Sequence, residues 1–434
     1  MQFFFETYGC QMNLSDSFEV EQELIKQGWK KTDNVNHADA VLINTCSVRK
    51  TAETRIIGRL GFYKNIKKTK KNLTLLVMGC FAQKDGDLLK KSYPFIDLII
   101  GTQNKNKIPE LLNAVKKHKP KKAVFNQFED HFDFMEPSID HQAFFRAFLP
   151  IIKGCNNYCS YCIVPYTRGR EVSIQSSFLL DELKKLIDKG VSEVFLLGQN
   201  VNSYGKDISD INFSELLLKI SKFKEIKRIK FMTSHPKDFS DELIHAIETI
   251  PQVVKHVHLP LQTASNRILK LMNRKYTFED YQLIIEKLRK KIPDISLSTD
   301  ILSAFPGETE EEYLQTFEAL RTLQFDKAFI FLYSPREGTA AYPLKESLNQ
   351  KEKKLRVHHM VELQNQISFE KLKRFLHTYQ EVIPEKISRK NGFELMGNSH
   401  FDTKVIFQGD ESDFGKMIQV KIKDVKGMSL IGEK

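Results

Sequence analysis

From Gln2 to about residue 120, short apolar runs alternate with amphipathic stretches of helical period. The strand-sized runs are FFFETYGC, AVLINTC, LTLLVMGC and IDLIIG. Between them, Ser15–Gly28 (closed by a glycine stop), TAETRIIGRLGFY and IPELLNAVKKH carry apolar residues at helical spacing. Strands separated by helices long enough to cross over predict an α/β domain built on a doubly wound parallel sheet over residues 1–120.

The pattern then breaks. Residues 121–143 mix charge and aromatics and read as a linker. A second βα series follows over residues 144–377, with strands expected at FFRAFLPIIKG, SEVFLLGQN, RIKFMTS, KHVHLPL, DISLSTDIL and KAFIFLYS. Helices such as SSFLLDELKKLIDKG and ETEEEYLQTFEALRTL lie between them. Six βα units suit an incomplete (βα)6 barrel, whose ligands bind at the C-terminal mouth of its strands. A charged helix over Gln350–His377 ends this part. Residues 378–434 change period: QEVIPEKIS, FELMGN, TKVIFQG, MIQVKIKDV and SLIGE, split by glycine turns, predict a small all-β barrel.

Charge adds one constraint. Lys plus Arg number 66 against 55 Asp plus Glu, a formal net charge of +11. Such an excess points to a polyanion partner such as nucleic acid, with a merely solvated basic surface as the alternative. No run of 18 apolar residues occurs, and MQFFFETYGC lacks the features of a secretory signal, so no membrane partner and a cytoplasmic location are expected.

The six cysteines change the picture most. In a reducing compartment they read as metal ligands or redox groups rather than three disulfides. Cys155, Cys159 and Cys162 form a C-x3-C-x2-C motif in the loop after the first barrel strand, at the mouth. Three thiolates are one short of a closed zinc site or a fully ligated four-iron cluster, and leave a coordination position open for a substrate. Cys10, Cys46 and Cys80 each follow a strand of the first sheet. The C-terminal strand ends of an open α/β sheet share one crevice, so cysteines far apart in sequence can converge there. Three unrelated buried cysteines are the alternative.

These residues carry a resemblance. TYGCQMN, LINTCSVR, GCNNYCSYCIVPYTRGRE, LLGQNVNSYG, FMTSHP and FPGETEE make nearly the whole chain similar to the radical S-adenosylmethionine methylthiotransferases. Within that family the likeness is greatest to the branch acting on N6-isopentenyladenosine of tRNA. Related branches act on threonylcarbamoyl-adenosine in tRNA or on an aspartate of a ribosomal protein; a two-cluster electron carrier or an RNA-binding iron–sulfur sensor is the non-enzymatic alternative. The chain departs from the family pattern at QTAS (262–265), where Gln-Ser-Gly-Ser is common, and at ILSAFPGE (301–308), where Ile-Val-Gly-Phe-Pro-Gly-Glu is usual.

The resemblance implies a radical-SAM barrel at the centre and a TRAM-like, RNA-binding barrel at the end. It implies two [4Fe-4S] clusters: one on Cys155, Cys159 and Cys162, whose open iron binds S-adenosyl-L-methionine, and one on Cys10, Cys46 and Cys80, where the sulfur to be inserted is presented. It also implies a tRNA anticodon loop as substrate, a reductant such as a flavodoxin or ferredoxin, and a sulfur source; a monomer is expected. Gln199, Asn200 and Ser234, at strand ends, are placed to contact S-adenosylmethionine, with ordinary strand-end hydrogen bonding as the alternative. His235 reads more readily as a structural group. Arg168 and Arg170 either bind phosphate or carboxylate or face solvent. KISRK and KVIF mix cations with apolar residues, as an RNA-binding barrel does.

Overall fold

The computed structural model describes residues 1–47, 50–117, 123–128, 134–140, 143–346, 348–388 and 394–434. The chain forms two compact units. The first comprises Met1–Ser138 with Lys153–Asn156 and Cys162–Val172; the second comprises Ile139–Ile152, Asn157–Tyr161 and Ser173–Lys434. Arg389 and Lys390 of KISRK lie outside the described residues.

The first unit holds strands β1 (Gln2–Tyr8), β2 (Lys30–Lys31), β3 (Ala40–Thr45), β4 (Thr74–Gly79), β5 (Leu98–Ile100) and β6 (Val124–Phe125). Their order in one sheet is β2-β1-β3-β4-β5-β6, every pair parallel. The helices are α1 (Gln11–Lys26), α2 (Lys50–Thr69), α3 (Cys80–Ser92) and α4 (Ile108–Lys117). Residues of β3 and β4 are buried on both faces, as their unbroken apolar runs require. Val41, Ile43, Leu75 and Val77 pack on one face, with Ile56, Leu60 and Tyr63 of α2. Leu42, Leu76 and Met78 pack on the other, with Val20 and Leu24 of α1. Chain order reverses at β1, which has β2 on one side and β3 on the other, so the ligand crevice of this sheet lies at the β1/β3 ends.

Two differences from the sequence reading stand out. Val124–Phe125, within the stretch read as linker, pair with Ile99–Ile100 and complete the sheet. Helix α3 had no counterpart in the periodicity. It contains Gly86 and a non-helical Asp85, and its buried face is held by packing against the sheet rather than by a continuous apolar stripe.

In the second unit all six expected barrel strands are present. Ala143–Pro150, Glu193–Leu197 and Arg228–Phe231 pair in parallel, as do His256–His258, Ser296–Ser303 and Lys327–Leu332. A parallel bridge from Ile229 to Val253 continues the order between the two sets. The C-terminal strands Tyr379–Ile387, Glu394–Ser399, Lys404–Gln408, Ile418–Lys426 and Ser429–Glu433 close a five-stranded barrel around Val382, Leu395, Val405, Phe407, Val420, Ile422 and Leu430.

This small barrel is fastened to the larger one by a buried charge network. Glu193 pairs in register with Arg146 and Arg228 on its neighbouring strands and forms an ion pair with Arg146. Arg146 also reaches Glu385, 2.5 Å away. The fully buried Arg228 donates to the carbonyls of Asn398 (2.8 Å) and Glu381 (3.1 Å). Lys230 meets Asp402 at 3.2 Å, and Lys327 Nζ donates to the Asp402 carbonyl at 2.8 Å.

Candidate functional site

In the first unit the register puts Tyr8 beside Thr45 and Thr45 beside Gly79, so Cys10, Cys46 and Cys80 follow the C-terminal ends of three adjacent strands. The ladder runs on to the second cysteine, whose N–H donates to the Tyr8 carbonyl at 3.0 Å. Cys10 is the N-cap of α1 and Cys80 the first residue of α3. Helix N-termini favour thiolates, because unpaired backbone N–H groups and the helix dipole stabilise negative charge. Gly79 makes the last turn possible: its φ is +97°, and a Cβ there would collide with Asn44 and the Thr45 carbonyl.

The thiols interact. A hydrogen bond with Cys46 draws the Cys10 thiol down to about 6; burial opposes this, while Arg168 and the Asn13 and Met12 backbone assist. Burial pushes Cys80 up, against the pull of Arg168. Among the described residues no three Cys, His, Asp or Glu side chains stand in ligating geometry around an ion. Flanking Cys46, the hydroxyls of Thr45 and Ser47 are buried and make no hydrogen bond to a described residue.

The short helix Val164–Arg168 explains the PYTRG string. Proline stands in its first turn, and Gly169, with φ +81°, stops it. The Thr102 hydroxyl donates to the Thr167 carbonyl at 2.6 Å and anchors it to the first sheet's loops. Arg168 is buried, its Nη1 2.7 Å from Asp16 Oδ2, whereas Arg170 is exposed. Burial works against the Arg168 charge, but Asp16, Cys80 and Cys10 keep the guanidinium firmly protonated. Asp16 is shared with the buried Lys105, which also holds Glu19 at 2.5 Å. Lys153, buried beside them, is drawn down to about 7, by burial first and by Lys105 second.

The residues of the C-x3-C-x2-C loop are positioned individually. Gly154 has φ +77°, and a Cβ there would strike the Arg170 carbonyl. The Cys155 N–H donates to the Gly169 carbonyl at 3.1 Å. Cys155 and Cys159 are buried; Cys162 is partly open. Within the second unit, Arg274 Nη1 lies 3.4 Å from Cys159 Sγ, while its other nitrogens reach Tyr276 and the Pro260 carbonyl.

The expected strand-end contacts gather in this second unit. The Asn202 side chain donates to the His235 carbonyl and accepts from the His235 N–H, both at 2.9 Å, which locks the two strand ends together. Asn200 donates to Asp238 at 2.8 Å, leaving its Oδ1 buried without a donor. Ser234 Oγ and His235 Nε2 are likewise buried and unpartnered among the described residues. Gln199 is half-buried beside them in sequence. Burial, then Arg274 and Lys237, push His235 down to about 2, so the ring is neutral. Its Nδ1 accepts from the Lys237 N–H at 3.3 Å, which puts the proton on Nε2. The ring meets Tyr276 edge-on at 5.6 Å.

Buried polar groups are normally satisfied, so three orphans at neighbouring strand ends fit a polar co-substrate. Three thiols at a sheet's switch point, backed by a guanidinium, likewise fit an anionic iron–sulfur group better than a bare cation. Arg274, Tyr276, Asp16 and Lys105 were invisible in the sequence: each is a common residue in an unremarkable string, and only tertiary contact gives it a role. Three strand ends also carry left-handed non-glycine residues, Thr233 (φ +69°), Gln262 (+72°) and Ala304 (+57°), the kind of strain that collects at functional sites. Of the segments that depart from the family pattern, one begins at the strained Gln262 and the other contains the strained Ala304. Gln262 is bridged to the strand at Ile301, and Ala304 donates its N–H to Glu308 at 2.9 Å.

Comparison with known proteins bears on the same residues. Residues 149–320 match the radical SAM superfamily, and residues 2–101 match a family described as uncharacterized protein family UPF0004. The chain is 45% identical over 432 residues to the tRNA-2-methylthio-N(6)-dimethylallyladenosine synthase of Thermoanaerobacter pseudethanolicus, covering 99% of this chain and 91% of that protein. It is 42% identical over 435 residues to the enzyme of that name from Clostridium botulinum, covering 100% and 96%. Among solved structures, the radical S-adenosylmethionine methyltransferase TsrM from Kitasatospora setae shares the fold with a TM-score of 0.60 at 13% identity, over 79% of this chain and 75% of that one. The cobalamin-dependent S-adenosylmethionine radical enzyme OxsB does so with a TM-score of 0.54 at 12% identity, over 81% and 56%.

Proposed function

Because the chain belongs to the family of tRNA-2-methylthio-N(6)-dimethylallyladenosine synthases, we propose a division of labour among its own residues. The protein is a radical S-adenosylmethionine enzyme that methylthiolates tRNA, and its target is C2 of N6-isopentenyladenosine next to the anticodon. When bound, a four-iron cluster on Cys155, Cys159 and Cys162 supplies the electron for cleaving S-adenosylmethionine, and a second on Cys10, Cys46 and Cys80 supplies the place where sulfur is held. Arg274 offsets the charge at Cys159. Asn200 Oδ1, Ser234 Oγ and the His235 Nε2 proton, with Gln199 beside them, orient the polar groups of S-adenosylmethionine.

The C-terminal barrel carries phosphate contacts through its basic residues, for example Lys421, whose ammonium lies 5.8 Å from the exposed Tyr379 ring. C2 of adenine is enclosed in a stacked helix, so the target base is taken from an unpaired loop. A flavodoxin- or ferredoxin-type reductant and a separate sulfur source complete the reaction. The chain works as a cytoplasmic monomer; among the described residues no helix is long and apolar enough to cross a membrane.

The observation that carries this reading is the second trio. Generating a radical calls for one open cluster; three further thiols at the switch point of a separate sheet call for a second task, and sulfur delivery is the task that the relatives' reaction contains. The test is to replace each trio with alanine and assay iron, 5′-deoxyadenosine and methylthio-nucleoside on the same preparations. Replacing Cys155, Cys159 and Cys162 should halve the iron and abolish 5′-deoxyadenosine. Replacing Cys10, Cys46 and Cys80 should also halve the iron, keep 5′-deoxyadenosine, and leave the RNA without sulfur. Full iron and continued methylthiolation in that second variant would refute the assignment.

A further inference from the structure

The crevice at the ends of β1, β3 and β4 contains more than thiols. Arg168 enters it as the last residue of the helix that begins two positions after Cys162, with its side chain 6% exposed. Its Nη1 is taken by Asp16, and Asp16 is held in turn by Lys105, so the guanidinium is clamped at one end. Its Nη2 is buried and has no oxygen or nitrogen acceptor among the described residues. Its remaining partners are the thiols: the Cys80 side chain hydrogen-bonds the guanidinium, and Cys10 adds its charge. A buried donor without an acceptor is costly, and more so on a charged group. Such a group persists where a ligand completes it.

The donor defines the ligand. A clamped guanidinium N–H can only donate, so its partner is an acceptor, and a charged donor favours an anion. On the proposed reading of Cys10, Cys46 and Cys80 as cluster ligands, the anion arrives at a thiolate-bound centre and is small. Arg168 and Lys105 balance the carboxylates Asp16 and Glu19, and Lys153 is a further basic group buried beside them, so added negative charge on the sulfur side meets no uncompensated carboxylate.

We propose that Arg168 holds the sulfur to be transferred, its free Nη2 donating to a one-sulfur anion of the hydrosulfide class seated at Cys10, Cys46 and Cys80. The inference rests on the reading of that trio as a sulfur-delivery site. Arg168 acts through the bound anion and is a positioning residue, with Asp16 as the clamp that aims it. The same short helix joins Arg168 to the C-x3-C-x2-C motif along the chain, with about 6 Å of helix between Val164 and Arg168.

The experiment uses the iron-reconstituted full chain, titrated with sodium hydrosulfide and followed by the visible and electron paramagnetic resonance spectra. Iron content and melting temperature are measured on each preparation. Arg168→Lys keeps the charge and the ion pair with Asp16 but loses the second nitrogen; Arg168→Gln removes the charge. Wild-type protein should show a saturable spectral change that the Cys10, Cys46 and Cys80 replacements abolish. Arg168→Lys should weaken hydrosulfide binding at least tenfold with iron and melting temperature at wild-type levels, and Arg168→Gln should weaken it further. Hydrosulfide binding as tight in Arg168→Lys as in wild type overturns the role of Arg168 and leaves the trio's assignment standing. Iron lost in proportion to binding overturns it too, since Arg168 then only supports the fold. No response in the wild type, or one that survives loss of the trio, overturns both.

Discussion

Neutralising Asp402 tests how firmly the C-terminal barrel is built into the enzyme. The carboxylate stands on a turn of that barrel, 28% exposed, 3.2 Å from Lys230 and 3.8 Å from His256 Nδ1. Burial alone would raise it, but Lys230, His256 and Lys327 hold it well below 3.8. In Asp402→Asn, Lys230 keeps only Glu193, 3.8 Å away and already engaged by Arg146 and Arg228. Breaking a buried pair from one side costs about 3–5 kcal/mol, which the partial exposure of Asp402 reduces to about 2–3 kcal/mol. At about 2 °C per kcal/mol for a domain of this size, that is a fall of about 4–6 °C in melting temperature at pH 7. The sign with pH is fixed. A depressed carboxyl contributes stability above its unfolded value near 3.8 and loses it as pH falls through its folded value, so the deficit should shrink in acid. Lys230→Met combined with Asp402→Asn should recover part of the loss, because no unpaired charge then remains. The assay is calorimetry of the two single variants and the double variant. A single variant melting within about 1 °C of wild type, or strictly additive losses, would refute the argument.

Two further predictions follow from strain and from buried histidines. Ala304 has φ +57°, a conformation that favours glycine; relieving the strain gains about 1–2 kcal/mol and losing a buried methyl costs about 0.8 kcal/mol. Ala304→Gly should therefore raise the melting temperature slightly, and a fall would show that the methyl matters more than the strain. His235, His256 and His400 are pushed by burial to about 2, about 3 and about 4, so the unfolded chain binds their protons first. Stability should be full above pH 6.5 and fall as pH drops toward those values. His256→Gln should remove up to about 1.4 kcal/mol per pH unit from that slope, which denaturation at pH 7, 6 and 5 would measure; an unchanged slope would contradict the burial argument.

The sequence by itself determined the elements and one of the two cysteine motifs. Apolar runs at period 2 and apolar faces at period 3.6 are local properties, so all six barrel strands and all five C-terminal strands were legible. C-x3-C-x2-C is equally local, since three cysteines within eight residues of one loop need no fold to be read. Three cysteines placed alike at strand ends could be paired with a topology, and the β1-β3-β4 adjacency made them neighbours. Tertiary structure alone decided the rest. Arg168 and Arg170 are two residues apart and alike in sequence, yet one is buried on Asp16 and the other faces solvent. Arg274 stands 115 residues from Cys159 along the chain, and no spacing connects them. Helix α3 carries a glycine and a non-helical aspartate and is held by packing, so its own pattern was too weak to announce it. The physical reason is common to these cases. A hydrophobic period is written in consecutive residues, whereas the state of a charged side chain depends on desolvation and on partners that only the folded chain brings near.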